Sequence, residues 1–120
     1  MICADKSEPG VTVWEMYCDD RFANPVNKVQ GGFIAAMADS AMGASSISFA
    51  QREGRKVYSA NAEMKVSFFR PAPVGCRLTC RAEVVSGGTR VAFVEATIHS
   101  DDGILVARAT STYIITPRDG

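Results

Sequence analysis

At 120 residues, 47% of them hydrophobic, the chain has the size of one domain with a sizeable core, read over residues 1–120 with the core of the domain at about 11–118. Its 13 basic residues balance its 13 acidic ones, so no bulk charge draws it toward nucleic acid or an anionic membrane. Cys3, Cys18, Cys76 and Cys80 form no C-x-x-C pair and His99, the only histidine, has no cysteine near it, which argues against a metal site and for small buried thiols in a reduced compartment.

The opening stretch Met1-Ile2-Cys3-Ala4-Asp5-Lys6-Ser7-Glu8 carries an early acid and no apolar run, so it does not read as a signal peptide, and a cytoplasmic location is the expectation. Val11 to Tyr17 alternates and is β-rich, predicting a first strand. Cys18 to Val29 contains Asp-Asp, Asn24-Pro25 and Asn27-Lys28, which are loop signals. From Gly32 to about Gln51 no proline intervenes and helix is favoured, with Gly54 as its C-terminal stop. Within it Phe33 to Ala50 is apolar, but Asp39 and several serines exclude a membrane span.

Strands follow. Val57 to Phe69 alternates loosely, and Arg70-Pro71-Ala72-Pro73 breaks it. Cys76 to Val85 sets Cys76, Leu78, Cys80, Ala82 and Val84 against charged and hydroxyl residues, a half-exposed strand. Ser86-Gly87-Gly88-Thr89 and Asp101-Asp102-Gly103 are hairpin turns flanking a strand from Arg90 to Ser100, and a last strand runs from Ile104 to Thr116, before a tail from Pro117 to Gly120. The expected order is β-α-β-β-β-β, an α+β fold. The helix is rich in alanine, glycine and serine, which lets a curved sheet approach its backbone closely. One helix wrapped by one antiparallel sheet is the hotdog arrangement.

The chemistry concentrates at Gln30-Gly31-Gly32 and Asp39. A helix N-terminus offers free N–H groups to an anion or a polarised oxygen. A carboxylate among alanines and methionines is costly unless something uses or pairs it. Asp39 is open to two readings at this level, a solvated helix residue or a reacting group. Ser40 beside it lacks the G-x-S-x-G elbow of a serine hydrolase. Asn24 before Pro25 reads equally as a turn or a site residue, while Asn61 is out of place in a β-rich run. Glu63 and Glu95 read as solvated strand acids, His99 as a structural residue, and Trp14 as packing or interface.

Asn24, Val29-Gln30-Gly31-Gly32, Met37-Ala38-Asp39, Phe68-Phe69-Arg70-Pro71-Ala72 and Gly87-Gly88-Thr89-Arg90, in that order and spacing, give a chain that resembles the hotdog-fold acyl-CoA thioesterases, the PaaI-like and 4-hydroxybenzoyl-CoA thioesterase group. The resemblance covers roughly Val11 to Arg118. It implies hydrolysis of an acyl-CoA thioester, with no cofactor beyond the coenzyme A of the substrate. The N–H groups of Gly31 and Gly32 would polarise the thioester carbonyl, Asp39 would act as nucleophile or general base, and Asn24 and Asn61 would line the site. Gly88, Thr89 and Arg90, with Arg70 and Arg118, would meet the phosphates of coenzyme A, which suits the planar arginine fork. Gln30 departs from the family's usual histidine; an amide donates a hydrogen bond but does not titrate. A non-catalytic acyl-CoA-binding module on the same fold stands as the alternative. A dehydratase or hydratase wants a histidine beside the helix acid, and none lies there.

Geometry adds one constraint. Gly32 and Asp39 share a helix face but lie roughly 10 Å apart along the axis, whereas attack needs atoms about 3–3.5 Å apart. If both act on one carbonyl, a twofold dimer with antiparallel helices brings them together across subunits. The resemblance implies the same homodimer, commonly paired again into a tetramer. Phe33, Met37, Met42, Phe68 and Phe69 are the apolar residues expected near an acyl group, although a core would use them too.

Overall fold

The computed structural model describes residues 1–118; Asp119 and Gly120, the end of the expected tail, lie outside the described residues. Six strands form one antiparallel sheet: β1 (Ile2–Asp5), β2 (Val11–Tyr17), β3 (Val57–Phe68), β4 (Arg77–Gly87), β5 (Val91–Ser100) and β6 (Leu105–Pro117), in the order β1-β2-β4-β5-β6-β3. A single helix, α1 (Gly31–Gln51), leaves β2 near one edge and delivers the chain to β3 at the other, crossing one face of the sheet. A 3₁₀ turn at Asp20–Phe22 interrupts the loop before it.

The expected elements are all present. β1 is an additional strand that the sequence reading passed over, making the order β-β-α-β-β-β-β. Its four residues pair only with β2, and three of them are exposed, so no burial pattern announces it.

α1 turns Ile34, Met37, Ala38, Ala41, Met42, Ser45, Ser46 and Ala50 into the sheet. Leu78, Cys80, Ala82, Val94, Ala96 and Ile98 meet it from β4 and β5. Small residues on both sides bring helix and sheet close enough for polar contacts through the core. Ser45 donates to the Ala82 carbonyl (3.0 Å), Thr12 to the Ala41 carbonyl (3.1 Å) and Trp14 Nε1 to the Thr12 hydroxyl (2.9 Å). These buried groups are therefore satisfied, as a stable core requires. Trp14 itself is half-buried against that core.

Cys18, Cys76 and Cys80 are buried and Cys3 is half-buried. Burial pushes the Cys80 thiol up to about 12 and the Cys18 thiol up to about 11. Among the described residues no group of three His, Cys, Asp or Glu is placed to hold a metal ion.

The other side of α1 is uncovered. Gly32, Phe33, Ala36, Asp39 and Ser40 are exposed along one stripe at helical spacing, and Asp39 is its only charge. Beside the helix, β3 forms an edge of the sheet over 12 residues and presents an unpaired side. A long free edge next to an apolar helix stripe is a surface that soluble proteins ordinarily cover.

Candidate active site

Asp39 sits about two-fifths of the way along α1, and two side chains from the sheet converge on one of its oxygens. Asn61 Nδ2 donates to Asp39 Oδ1 at 3.0 Å. The Tyr113 hydroxyl lies 2.6 Å from the same Oδ1 and 2.8 Å from the Asp39 main-chain oxygen, sharing its proton between them. Burial first, then the adjacent Asp39 carboxylate, raises Tyr113 above the ordinary tyrosine range, so its hydroxyl stays a protonated donor.

Asn61 reaches Asp39 because β3 bulges there. Asn61 pairs with Tyr113 and Glu63 with Thr112, leaving Ala62 as the extra residue. Such a bulge re-aims a side chain at a strand edge. The Ser111 hydroxyl then holds Asn61 by its Oδ1 at 2.6 Å and also approaches the Glu63 carbonyl at 2.7 Å. The carboxylate fixes which end of the Asn61 amide faces it, since it only accepts, and that leaves Oδ1 turned to the Ser111 hydroxyl. Glu63 accepts from Thr112 at 2.7 Å, and Glu95 pairs with Arg108 at 3.1 Å, so neither strand acid joins the Asp39 group. His99 is half-buried on β5, paired with Thr79 across the β4 side, and is not part of it.

The N-terminus of α1 forms a second group. Gln30 takes the N-cap position with extended backbone (φ −65°, ψ 134°) and makes no side-chain cap hydrogen bond. The N–H groups of Gly31 and Gly32 are in the first turn, where the helix itself supplies no acceptor. No acid sits in that turn to compete for them. Gly31 approaches the Phe68 ring so closely that a Cβ would lie 3.3 Å from it, whereas Gly32 faces open space. A groove of about 350 Å³ runs beside Gly31, with Ile34, Phe68, Phe69, Asn24, Lys28 and Arg70 among its lining residues.

Asn24 lines this groove, but its side chain has a structural task. Its Oδ1 accepts from the N–H groups of Val26 and Lys28, both at 3.0 Å, and so shapes the turn that precedes the helix. Phe68 and Phe69 also line the groove, while Phe33 stacks edge-on against Phe22 at 4.7 Å. Met37 and Met42 do not belong to it: they are 2% and 0% exposed and fill the core instead.

A third group stands at the far end of the sheet. Thr89 and Arg90 border a hollow of about 430 Å³ with Ile114, Ile115, Thr116 and Pro117. Arg118 follows directly, its guanidinium 5.9 Å from the Tyr58 ring centre. The five residues expected at coenzyme A phosphates are thus divided. Arg70 belongs to the Gly31 end, next to the Phe68–Ala107 end of the β3–β6 ladder, and Gly88, Thr89, Arg90 and Arg118 to the Val57–Pro117 end. Along β3 these ends are about 35 Å apart at ~3.3 Å per residue.

Two features of these groups escaped the sequence reading. Tyr113 and Ser111 lie on the inward face of β6, in the alternation Ala107, Ala109, Ser111, Tyr113, Ile115. Hydroxyls on a buried face demand partners, and that demand was the available signal. Arg55, just past the helix, donates through Nη1 to the Thr89 carbonyl (2.9 Å) and through Nη2 to the Gly88 carbonyl (3.4 Å), strapping the β4–β5 hairpin. Its Nε faces Glu53 Oε2 at 3.3 Å, outside hydrogen-bonding geometry.

α1 is continuous from Gly31 to Gln51, so the separation of about 10 Å between the open helix end and Asp39 stands. Within one protomer the two groups do not meet.

Comparison with known proteins bears on this arrangement. Residues 27–107, two-thirds of the chain and including both groups apart from Asn24 and β6 beyond Ala107, match the family described as the thioesterase superfamily. Comparison with curated protein sequences gives no match. Among solved structures, the chain is similar to smu.793 from Streptococcus mutans UA159 bound to acetyl CoA, at 20% identity and a TM-score of 0.88 over 99% of this chain and 90% of that one. It is similar to a hypothetical thioesterase protein with coenzyme A from Streptococcus pneumoniae TIGR4, at 20% identity and a TM-score of 0.85 over 97% and 86% of the two chains. The PaaI protein from the phenylacetic acid degradation operon of E. coli is similar at 20% identity and a TM-score of 0.82, over 94% and 76%. At these identities the likeness is one of fold.

Proposed function

The chain belongs to the thioesterase superfamily, and on that premise we propose that it hydrolyses an acyl-CoA of small or medium acyl group, with each active site shared between two subunits. The observation that carries this reading is the pairing of an uncapped helix N-terminus with a carboxylate on the same uncovered helix stripe, too far apart to act together in one protomer.

Two copies related by a twofold axis, with their α1 stripes facing and antiparallel, place Gly31 and Gly32 of one chain opposite Asp39 of the other. The same docking covers Phe33 and Ala36 and gives the β3 edge a partner. The N–H groups of Gly31 and Gly32 stabilise the oxyanion as the thioester carbonyl is attacked. Asp39 either attacks that carbonyl, forming an anhydride that water then opens, or removes a proton from the attacking water. In both cases the C–S bond breaks, water supplies the acid's oxygen, and coenzyme A leaves as its thiol.

The apolar groove beside Gly31 receives the acyl group between Ile34, Phe68 and Phe69. Both cationic ends of the protomer remain available to the coenzyme A phosphates. The antiparallel arrangement brings the Arg90 end of one chain toward the Gly31 end of the other, which reunites Arg70 with Arg90 across the interface.

The test is a panel of aliphatic and aromatic acyl-CoA thioesters, with released thiol measured for wild type and Asp39→Asn. The reading expects turnover of at least one substrate and a loss of at least a hundredfold in Asp39→Asn at unchanged melting temperature. Saturable binding with no turnover across the panel would favour a binding module instead.

A further inference from the structure

The two oxygens of the Asp39 carboxylate are not equivalent. Oδ1 accepts from Asn61 at 3.0 Å and from Tyr113 at 2.6 Å, whereas Oδ2 has no hydrogen-bond partner among the described residues and lies on the exposed stripe of α1. Left to itself, a carboxylate end rotates through a broad, twofold range and offers either oxygen at many angles. Two donors on one oxygen remove that freedom.

The Tyr113 ring is placed for this by its surroundings. It is 2% exposed, between β6 and α1, and a Cβ at Gly43 would lie 3.5 Å from its Cε1. Gly43 is one turn beyond Asp39, and the ring lies against the helix there at ordinary van der Waals distance, with its hydroxyl at the carboxylate. The same hydroxyl lies 2.8 Å from the Asp39 main-chain oxygen, which ties the side chain's position to the helix backbone. Asn61 is in turn held by Ser111, so neither donor is free to drift.

We propose that Tyr113 is a positioning residue for catalysis: with Asn61 it pins Asp39 Oδ1 and leaves Oδ2 as the single reacting oxygen, directed at the thioester carbonyl or water presented by the partner subunit's helix end. This rests on the acyl-CoA hydrolase reading. It holds for either role of Asp39, because both need one oxygen at a fixed angle to the reacting atom.

Tyr113→Phe removes the hydroxyl and keeps the ring. The expected result is a kcat lowered by about 10- to 100-fold, in line with the cost of misplacing a reacting group, with KM for acyl-CoA changed less than twofold. Asn61→Ala is expected to act in the same direction. The double variant is expected to fall short of the product of the two single effects, because both donors serve one oxygen. A purely structural tyrosine would lower the melting temperature and leave kcat untouched. As a variant that keeps the Tyr113 ring and hydroxyl, protein carrying 3-fluorotyrosine in a Tyr58→Phe background, which leaves the ring beside Arg118 unfluorinated, strengthens the Tyr113 hydroxyl as a donor; Tyr17, the other remaining tyrosine, is exposed on the surface. A shift of kcat without a shift of KM is expected there as well. Wild-type kcat in both Tyr113→Phe and the fluorinated protein overturns the inference and leaves the hydrolase reading standing. Absence of turnover by wild type on every thioester tested overturns both.

Discussion

Replacing Gly87 with alanine would place a methyl carbon 2.5 Å from Phe49 Cε2, 2.7 Å from Cζ and 3.0 Å from Cδ2. The backbone there is not left-handed, so the requirement for glycine is one of space. The half-buried ring is bounded by the Arg52 guanidinium, 4.0 Å from its centre, and its Cδ1 would lie 3.4 Å from a Cβ placed at Gly10. Overpacking of this kind costs about 1–3 kcal/mol. For a domain of this size that is a fall in melting temperature of roughly 4–12 °C, taking ~4 °C per kcal/mol. The same displacement moves the hairpin that carries Thr89 and Arg90 and is strapped by Arg55. Thermal unfolding of wild type, Gly87→Ala, Phe49→Leu and the double variant is the assay. The double variant is expected to recover part of the loss, since leucine withdraws the clashing ring edge. Gly87→Ala with the stability of wild type, or a double variant whose losses simply add, would refute the argument that Phe49 holds this position to glycine.

Arg90→Gln and Arg70→Gln are each expected to raise KM for acyl-CoA severalfold while leaving KM for an acyl-pantetheine thioester, which lacks the nucleotide, within twofold; steady-state kinetics on the two substrates measures this. Thiol labelling of the native protein is expected to modify Cys3 alone of the four cysteines, since burial raises Cys18, Cys76 and Cys80 and a thiolate is the reacting form. Because those three thiols gain their protons more tightly on folding, their contribution to stability is fully present below the ordinary thiol range. It is lost as the pH rises through about 11 for Cys18 and about 12 for Cys80, which a pH series of denaturant melts from 8 upward would read.

Much of this architecture was written locally. Alternation placed β2 and β4 to within about two residues, and Gly88 and Gly103 marked the hairpins that join β4, β5 and β6. The helix was legible from its small residues and from the absence of proline. What was not legible depends on distance along the chain. Tyr113 is 74 positions from Asp39, and only the packing of β6 under α1 brings them together. The bulge after Asn61 follows from the β3–β6 register, which no local pattern encodes. Met37 and Met42 have the composition of an acyl pocket, but their phase on α1 turns them into the core. Asn24 shows the opposite limit: a local turn rule explained its carbonyl oxygen fully once the two N–H donors were seen. β1 was missed because an exposed four-residue edge strand has no buried face to leave a pattern.

The central claim is that Gly31 and Asp39 serve one carbonyl from different chains. Gly31 is the first helical residue, where proline is tolerated, and Gln30 already has the extended backbone that a following proline requires. Gly31→Pro therefore deletes the N–H donor with the helix retained, a loss of about 10²–10³ in kcat; its ring also presses the Phe68 side chain, 3.3 Å from a Cβ there, so this chain is damaged at the helix end and its groove while its own Asp39 stays intact. Mixed dimers of Asp39→Ala chains with Gly31→Pro chains, purified by two tags and verified as heterodimers, give the most direct measurement. Each homodimer is expected to be nearly inactive, and the heterodimer to recover about half the wild-type kcat, from its one site that combines an intact Gly31 with an intact Asp39. A verified heterodimer no more active than its two parents would contradict the shared site.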